Sequence, residues 1–360
     1  MRRGCHLSPL IWPKHPTGHV EHASSVRSPL ALPRNHAYAV IVDNASGQAD
    51  LSHGNAPIDS RDISVVIPCY TSKRLPSITA ALASILHQQF PPHAVIVAVD
   101  NNETLAWQLL DMFGWVTVVV NKRHRGASAT RNRGVEAVTT KYTAFLDDDE
   151  VADRDWLQEL TRPLVEIDVV GTGGKYNVMW PSGKPLWFPR EFEWVVGGSY
   201  AGLPTLTTPV RNVWSGNMAV RTDVFRSVGG FRADFGKRGD APQPEDTDLC
   251  IRMAASGGHW MYVPTATINH SIPRSRVSTR FFARRCFAEG RGKGLMANNF
   301  GSASVVGVER DYARTVLRVA AVRLCSLTAA ETAQGFAIML GLACAACGYL
   351  LERAQRSKSA

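Results

Sequence analysis

Four short apolar runs, spaced by segments of helical character, constrain this chain of 360 residues more than any other feature. Ile63-Ser64-Val65-Val66-Ile67 is stopped by Pro68. Val95 to Val99 ends in Asp100, Val116 to Val120 follows, and Tyr142 to Leu146 ends in Asp147. Runs of this kind, β-branched and short, read as buried strands. Between the first two, Ile78, Leu82, Ile85 and Leu86 recur at helical spacing. Strands alternating with helices predict an α/β fold: a Rossmann-like, mostly parallel sheet with helices on both faces. Ligands bind such sheets at the carboxyl ends of the strands.

The fourth run feeds straight into Asp147-Asp148-Asp149-Glu150. Clustered carboxylates repel one another and lose hydration unless something positive sits among them. A divalent cation answers that need, and carboxylate oxygens suit Mg²⁺ or Mn²⁺. At a strand's carboxyl end such an ion is placed to hold a diphosphate. The alternative is a solvated acidic turn before the helix that starts near Asp153-Arg154-Asp155-Trp156. Asp100 would share the same sheet edge.

From Ile63 to His270 the residues resemble the family 2 glycosyltransferases, which have the GT-A fold. The resemblance is carried by Val-Val-Ile-Pro-Cys-Tyr at 65–70, by Asp100, and by Gly-x-Ser-x-x-Arg-Asn-x-Gly at Gly126 to Gly134. It continues in Asp147-x-Asp149, Ser215-Gly216-Asn217, Val228-Gly229-Gly230-Phe231 and Pro244-Glu245-Asp246-Thr247-Asp248-Leu249. It implies an inverting, metal-dependent transfer from a nucleotide diphosphate sugar. Pro68, Tyr70, Asp100, Gly126, Arg131, Asp147 and Asp148 would meet the donor. Trp214, Gly216 and Asn217 would line the sugar site. Asp149, with Asp147 and His270, would hold Mg²⁺ or Mn²⁺. Asp246 would be the base, with Glu245 and Asp248 as alternatives in the same turn. Each role has a plain rival: a turn for Asp100 and Gly126, a solvated helix arginine for Arg131, a structural histidine for His270, core packing for the tryptophans at 180, 187, 194 and 214.

Within the family the chain resembles an actinobacterial group known as glucosyl-dolichyl phosphate glucuronosyltransferases. The shared segments are Trp187 to Gly197, Pro209-Val210-Arg211-Asn212 and Arg285 to Gly290. This implies a lipid-linked or cell-envelope glycan acceptor at the cytoplasmic face of the membrane. Arg190 or Arg211 would then pair with a uronate. Two other classes stay open from the residues themselves. A nucleotidyltransferase of sugar phosphates would show an early Gly-rich loop, where this chain has Pro68-Cys69-Tyr70-Thr71. A non-catalytic membrane-associated protein that binds nucleotide sugars would bind without turnover.

The net charge of +9 is unevenly spread. Residues 1–60 carry five Lys/Arg against four Asp/Glu, residues 61–273 carry 21 against 22, and residues 274–360 carry 14 against five. The surplus is C-terminal. It opens with Arg274, Arg276, Arg280, Arg284, Arg285, Arg291 and Lys293, among Phe281, Phe282 and Phe287. Tyr312 to Leu327 follows as a basic amphipathic helix with Arg314, Arg318 and Arg323 on its polar side. Gly335 to Leu351 then has no charged residue, at the short limit for a spanning helix. The pattern predicts an anionic membrane surface as partner, not nucleic acid, with peripheral and single-span arrangements and a buried or membrane-lying helical hairpin all open. Seven scattered cysteines imply no disulfide framework. Prolines at 9, 13, 16, 29 and 33 argue against a signal peptide. The expected organisation is a poorly ordered extension (1–60), a GT-A domain (61–273), a basic helical region (274–332), an apolar helix (333–352) and a tail (353–360).

Overall fold

The computed structural model of the protein describes residues 57–233, 244–300 and 302–357. The extension expected over 1–60 lies outside them except for its last four residues. The chain builds β1 (Ile63–Cys69), α1 (Leu75–Leu86), β2 (Ala94–Asp100), α2 (Glu103–Met112), β3 (Thr117–Asn121), α3 (Ala127–Glu136) and β4 (Tyr142–Leu146). β1 lies between β2 and β4, with β3 outside β2, and all four run parallel. β1 is apolar almost throughout because it is covered on both faces. Ile63, Val65, Ile67 and Cys69 join Ile78, Leu82 and Leu105 in one cluster, whereas Val66 joins Val135 and Phe145 in another.

The second half is β5 (Glu150–Ala152), α4 (Trp156–Thr161), β6 (Val169–Met179), β7 (Thr208–Val210), β8 (Asn217–Arg221), α5 (Thr222–Ser227), α6 (Glu245–Ala254) and β9 (His259–Ser271). The sheet order is β3-β2-β1-β4-β8-β6-β9-β5, and β7 also pairs with β9. The parallel arrangement expected from sequence describes the first half. β8 runs antiparallel to both β4 and β6, so the second half is mixed. β9 is long enough to pair with β6 on one side and with β7, then β5, on the other. That last pairing sets Glu150 opposite His270 and so ties the acidic turn after β4 to the far side of the sheet.

Three further helices follow: α7 (Thr279–Phe300), α8 (Ser302–Leu324) and α9 (Ala329–Ser357). The apolar helix is thus longer at both ends than the predicted 333–352. The helices pack on a 3₁₀ segment, Arg190–Val196, through a third cluster of Phe188, Phe192, Phe282, Cys286, Val316, Ala320 and Ile338. The amphipathic reading of Tyr312 to Leu327 needs correction here. Its apolar residues Val316 and Ala320 face the catalytic domain, and Arg323 turns inward to make two 2.9 Å hydrogen bonds to the Glu191 carboxylate. Tyr312 donates its hydroxyl to the Glu191 carbonyl at 2.7 Å and accepts from Trp194 Nε1 at 3.0 Å. Trp187 and Trp194 are therefore packing residues, as the plain reading had it.

α7 and α9 meet along small residues. A Cβ on Gly290 would strike the Ala345 backbone, and one on Gly348 the Phe287 carbonyl. Arg291 and Glu352 close the seam with a 2.7 Å ion pair. Gly348→Val should accordingly cost at least ~1–3 kcal/mol, the usual scale of overpacking. Denaturant unfolding measures it. An unchanged midpoint would show that α9 is not seated on α7.

Candidate active site

The carboxyl ends of β1, β2 and β4 and the start of α6 converge on one edge of the sheet. At β2 the carboxylate of Asp100 accepts from the Gly126 N–H at 2.9 Å and from Asn121 Nδ2 at 3.4 Å. Gly126 has φ 124°, a conformation that suits glycine, and it is the residue before α3. Asp100 thus sets the loop that starts α3. Tyr70, just beyond β1, is 53% exposed and stacks with the Arg74 guanidinium 5.3 Å from its ring centre. Pro68 is buried within β1, paired with Ala98.

Arg131 is almost wholly buried on α3. It pairs with Asp147 and lies over the Phe231 ring at 5.6 Å. Its Nε and Nη1 have no hydrogen-bond partner, nor has the nearby buried Ser128 hydroxyl on the same helix. The plain alternative of a solvated helix arginine does not hold. Arg74 takes the next two carboxylates, Asp148 at 2.5 Å and Asp149 at 3.2 Å. Burial pushes Asp148 up to about 7, although Arg74 opposes this, and its Oδ2 has no partner.

Glu150, absent from the expected site, is a member of it. Its carboxylate accepts from the Asp147 N–H at 3.0 Å and lies 3.7 Å from His270 Nδ1. Burial and the charges of Asp147 and Asp149 hold Glu150 well above the carboxylate range. The backbone at Gly216 comes so close that a Cβ there would sit 2.7 Å from Glu150 Oε1 and 3.0 Å from Asp147 Oδ2. His270 packs against Gly197, its Nδ1 lacks a hydrogen-bond partner, and its Nε2 is 3.5 Å from Arg276 Nη1. Burial lowers its pKa, so the neutral ring with a free nitrogen is favoured.

These donors fit a hard divalent cation in kind: carboxylate oxygens from Asp147 and Asp149, an imidazole nitrogen from His270, and orphaned atoms on Asp148 and His270. Their ligand atoms are spread out, with guanidinium groups balancing the carboxylates. Among the described residues, the one group of three that gathers within 4.8 Å is Glu166, Asp168 and His259. It lies at the start of β6 and β9, on the opposite edge of the sheet.

Glu245 and Asp246 open α6 beside Arg131. Ser215 steadies the Asp246 carboxylate through its hydroxyl and its N–H, and one oxygen of Asp246 is left without a partner. Burial nonetheless holds Asp246 above its ordinary value. Burial and the charge of Asp246 push Glu245 up to about 8, against the opposing charges of Arg131 and Arg285. Asp248 is a different matter. It is fully buried and takes two hydrogen bonds from Arg252, at 2.8 and 2.6 Å, while Arg252 also donates to the carbonyls of Val228 and Gly230. That network ties one oxygen of Asp248 to the loop before α6, while its Oδ1 has no hydrogen-bond partner.

Asn217 also departs from expectation. It is fully buried; its Nδ2 donates to the carbonyls of Lys175 and Ala266, and its Oδ1 accepts from Trp156 Nε1 at 2.7 Å. Nothing remains for a sugar. Trp214 is partly buried, with Tyr176 edge-on at 5.2 Å. Arg211 is engaged by Glu309, at 2.7 and 3.1 Å. Arg74 was not singled out from sequence. Glu150 was named in the acidic run, Ser215 in a family motif and Arg276 in the basic stretch, but none of them was given a place in the site.

The sequence model described as Glycosyl transferase family 2 matches residues 64–229. The glucosyl-dolichyl phosphate glucuronosyltransferase of Haloferax volcanii is 32% identical over 240 residues, covering 65% of this chain and 77% of that protein. This chain is a family 2 glycosyltransferase. The enzyme is also 28% identical to the succinoglycan biosynthesis protein ExoM of Rhizobium meliloti, over 62% of this chain and 72% of that one. Among solved structures it is similar to the mannosyltransferase PcManGT of Pyrobaculum calidifontis, determined with GDP-Man and Mn²⁺. The TM-score is 0.52 at 15% identity, covering 82% of this chain and 89% of that one. The fold is GT-A, and the enzyme class sets aside both the nucleotidyltransferase and the non-catalytic alternatives.

The structural role of Asp248 has a direct check. Asp248→Asn breaks a buried ion pair and should destabilise the glycosyltransferase by ~3–5 kcal/mol, less what the half-exposed edge of Arg252 recovers from water. Thermal unfolding reads this. A variant that melts like the parent yet loses turnover would keep Asp248 on the list of bases.

Proposed function

We propose that the enzyme is an inverting, metal-dependent glycosyltransferase that moves a sugar from a nucleotide diphosphate to a lipid-linked or envelope-glycan hydroxyl at the cytoplasmic face of the membrane. The observation that carries this reading is the contrast between the two acids that open α6. Both acids feel Arg131, but only Asp246 also has Ser215, through its hydroxyl and its N–H, to favour its charged form. One carboxylate with a free oxygen is what a single displacement needs to take the acceptor proton. Direct attack then inverts the anomeric centre.

The leaving diphosphate is the other demand. Asp149, with Asp147 and His270, would hold a divalent cation, which supplies charge stabilisation to the leaving group when bound. The chain's own part is to place cations around it. Arg131 has two unpartnered buried donors, and Arg276 stands beside His270. The donor's nucleoside belongs near Asp100, Tyr70 and the Gly126 loop. Support for the ion comes from the donor set and from the Mn²⁺ in the PcManGT structure. Support for a lipid-linked acceptor comes from the dolichyl phosphate in the name of the Haloferax relative and from the C-terminal helices described below.

Asp246→Asn should lower kcat by at least ~10²-fold, the usual scale for a lost general base, with little change in donor affinity. The parent's kcat/KM should fall as pH is lowered, because the base must be ionised. The midpoint should lie above the ordinary carboxylate value of ~4, in the direction burial imposes. Survival of turnover in Asp246→Asn with its loss in Glu245→Gln would reverse the assignment.

Asp149→Ala should abolish turnover that chelator removes and metal restores, and should weaken Mn²⁺ binding measured directly by calorimetry. Turnover indifferent to chelator in the parent would rule out the metal-dependent mechanism.

A further inference from the structure

α9 is long enough to cross a bilayer: Ala329–Gln355 is 27 residues, or about 40 Å of helix against a hydrocarbon core of ~30 Å. Its two faces argue otherwise. The inner face is committed to the enzyme along most of its length. Gly335 lies against Leu324, Ile338 sits in the cluster with Phe282 and Val316, Gly341 abuts the Phe192 ring, Gly348 abuts the Phe287 carbonyl, and Glu352 pairs with Arg291. A spanning helix would leave Phe192, Phe282 and Val316 uncovered in water. Alternatively it would draw α7 into lipid with Arg285, Glu289, Arg291 and Lys293.

The outer face is apolar and uncovered. Phe336, Leu340, Ala343, Cys347 and Leu350 follow one another at steps of three or four, with no charge among them. Phe336 is 64% and Leu350 65% exposed. Only 28% of the most apolar stretch of the helix is buried. Contiguous exposed apolar surface of this kind marks a partner. The charge on α7 and α8, the helices packed with α9, and on the turn before them says which. Arg274, Arg280, Arg310 and Arg318 are exposed, and none has a carboxylate partner among the described residues. An apolar stripe accompanied by free arginines fits an anionic lipid surface.

We propose that α9 lies in the plane of an anionic membrane, with Phe336, Leu340, Ala343, Cys347 and Leu350 inserted at the boundary of headgroups and acyl chains, and does not span it. The placement also relates lipid to the active site. A groove lined by Trp187, Thr279, Ala333, Phe336, Ala337 and Leu340 opens at the start of α7. Thr279 lies one residue beyond the end of the turn Arg274–Val277, which carries Arg276 to His270. A lipid-borne acceptor would therefore reach the catalytic edge from the membrane side. This deepens the membrane-acceptor reading and rests on it for its purpose, but not for its test.

The test uses the full chain with vesicles of phosphatidylglycerol and phosphatidylcholine, with neither donor nor acceptor present. The parent should co-sediment and be released by alkaline carbonate. Phe336→Glu/Leu350→Glu should bind at least tenfold more weakly while melting at the parent's temperature. If that pair fails to fold, Phe336→Ser/Leu350→Ser replaces it with the same expectation. Retention after carbonate would mean that α9 spans. Equal sedimentation of parent and variant would mean that the outer face meets no lipid. A parent that ignores vesicles and dimerises through this face, dissociating in the variant, would assign the stripe to a second copy. Failure of the acceptor reading would show separately, as intact vesicle binding without transfer to any lipid-borne hydroxyl.

Discussion

Everything in this glycosyltransferase turns on keeping negative charge out of water at one end of a sheet. Asp147, Asp148, Asp149, Glu150, Glu245 and Asp246 are gathered there, and burial raises the pKa of several of them. Arg74, Arg131 and Arg276 are the guanidinium groups interleaved with them. Six carboxylates outnumber these guanidinium groups even when Arg285, which also acts on Glu245, is added. A diphosphate would worsen the imbalance unless it came with a cation. The same shortage that favours a metal, together with burial, raises the pKa of both Glu245 and Asp246.

Holding such a cluster requires close backbone approach from two sides. Gly216, before β8, is what lets the chain pass within reach of the Glu150 carboxylate, and Gly197, at φ 85°, admits the His270 ring. Asn217 then locks β8 to β6 and β9 with one hydrogen bond each, and to α4 through a third from Trp156. The Gly216-Asn217 pair therefore serves the site by geometry, one residue through lack of a side chain and the other through a side chain wholly consumed by the fold. The antiparallel pairing of β5 with β9 does the same for His270, which reaches the acids from 120 residues away in sequence only through that ladder.

The parts legible in the sequence were those that local chemistry dictates. Two-sided burial wrote β1, β2 and β4 as apolar runs, and the acids after Leu146 announced the edge. Asp246 and Arg131 were marked by family resemblance. What escaped was long-range. Arg74 looked like one more basic residue in Ser72-Lys73-Arg74, because nothing local says that it turns back onto Asp148. Arg323 sat on what looked like the polar face of a helix, yet it is spent on Glu191, 132 residues away. Asp248 stood as an alternative to Asp246, two residues apart in the same helical turn. What the sequence does not show is that Arg252, bonded to the Val228 and Gly230 carbonyls, is held on Asp248 while Ser215 meets Asp246.

The C-terminal helices extend the same logic to the enzyme's surroundings. Had α8 presented its apolar side outward, the domain would have needed some other cover for Phe192 and Phe282. By turning that side inward, and by pairing Arg323, Arg291 and Lys293 with acids of their own, the bundle uses part of the C-terminal charge surplus internally. What stays exposed is a smaller set of arginines and one apolar stripe on α9. Burying that stripe in a core would have needed another element, and among the described residues none covers it. A soluble acceptor gives no reason to keep such a surface. An acceptor that lives in a bilayer does, since the helix carrying the stripe is held to the 3₁₀ segment at Arg190–Val196 and to α7, whose preceding turn places Arg276 beside His270.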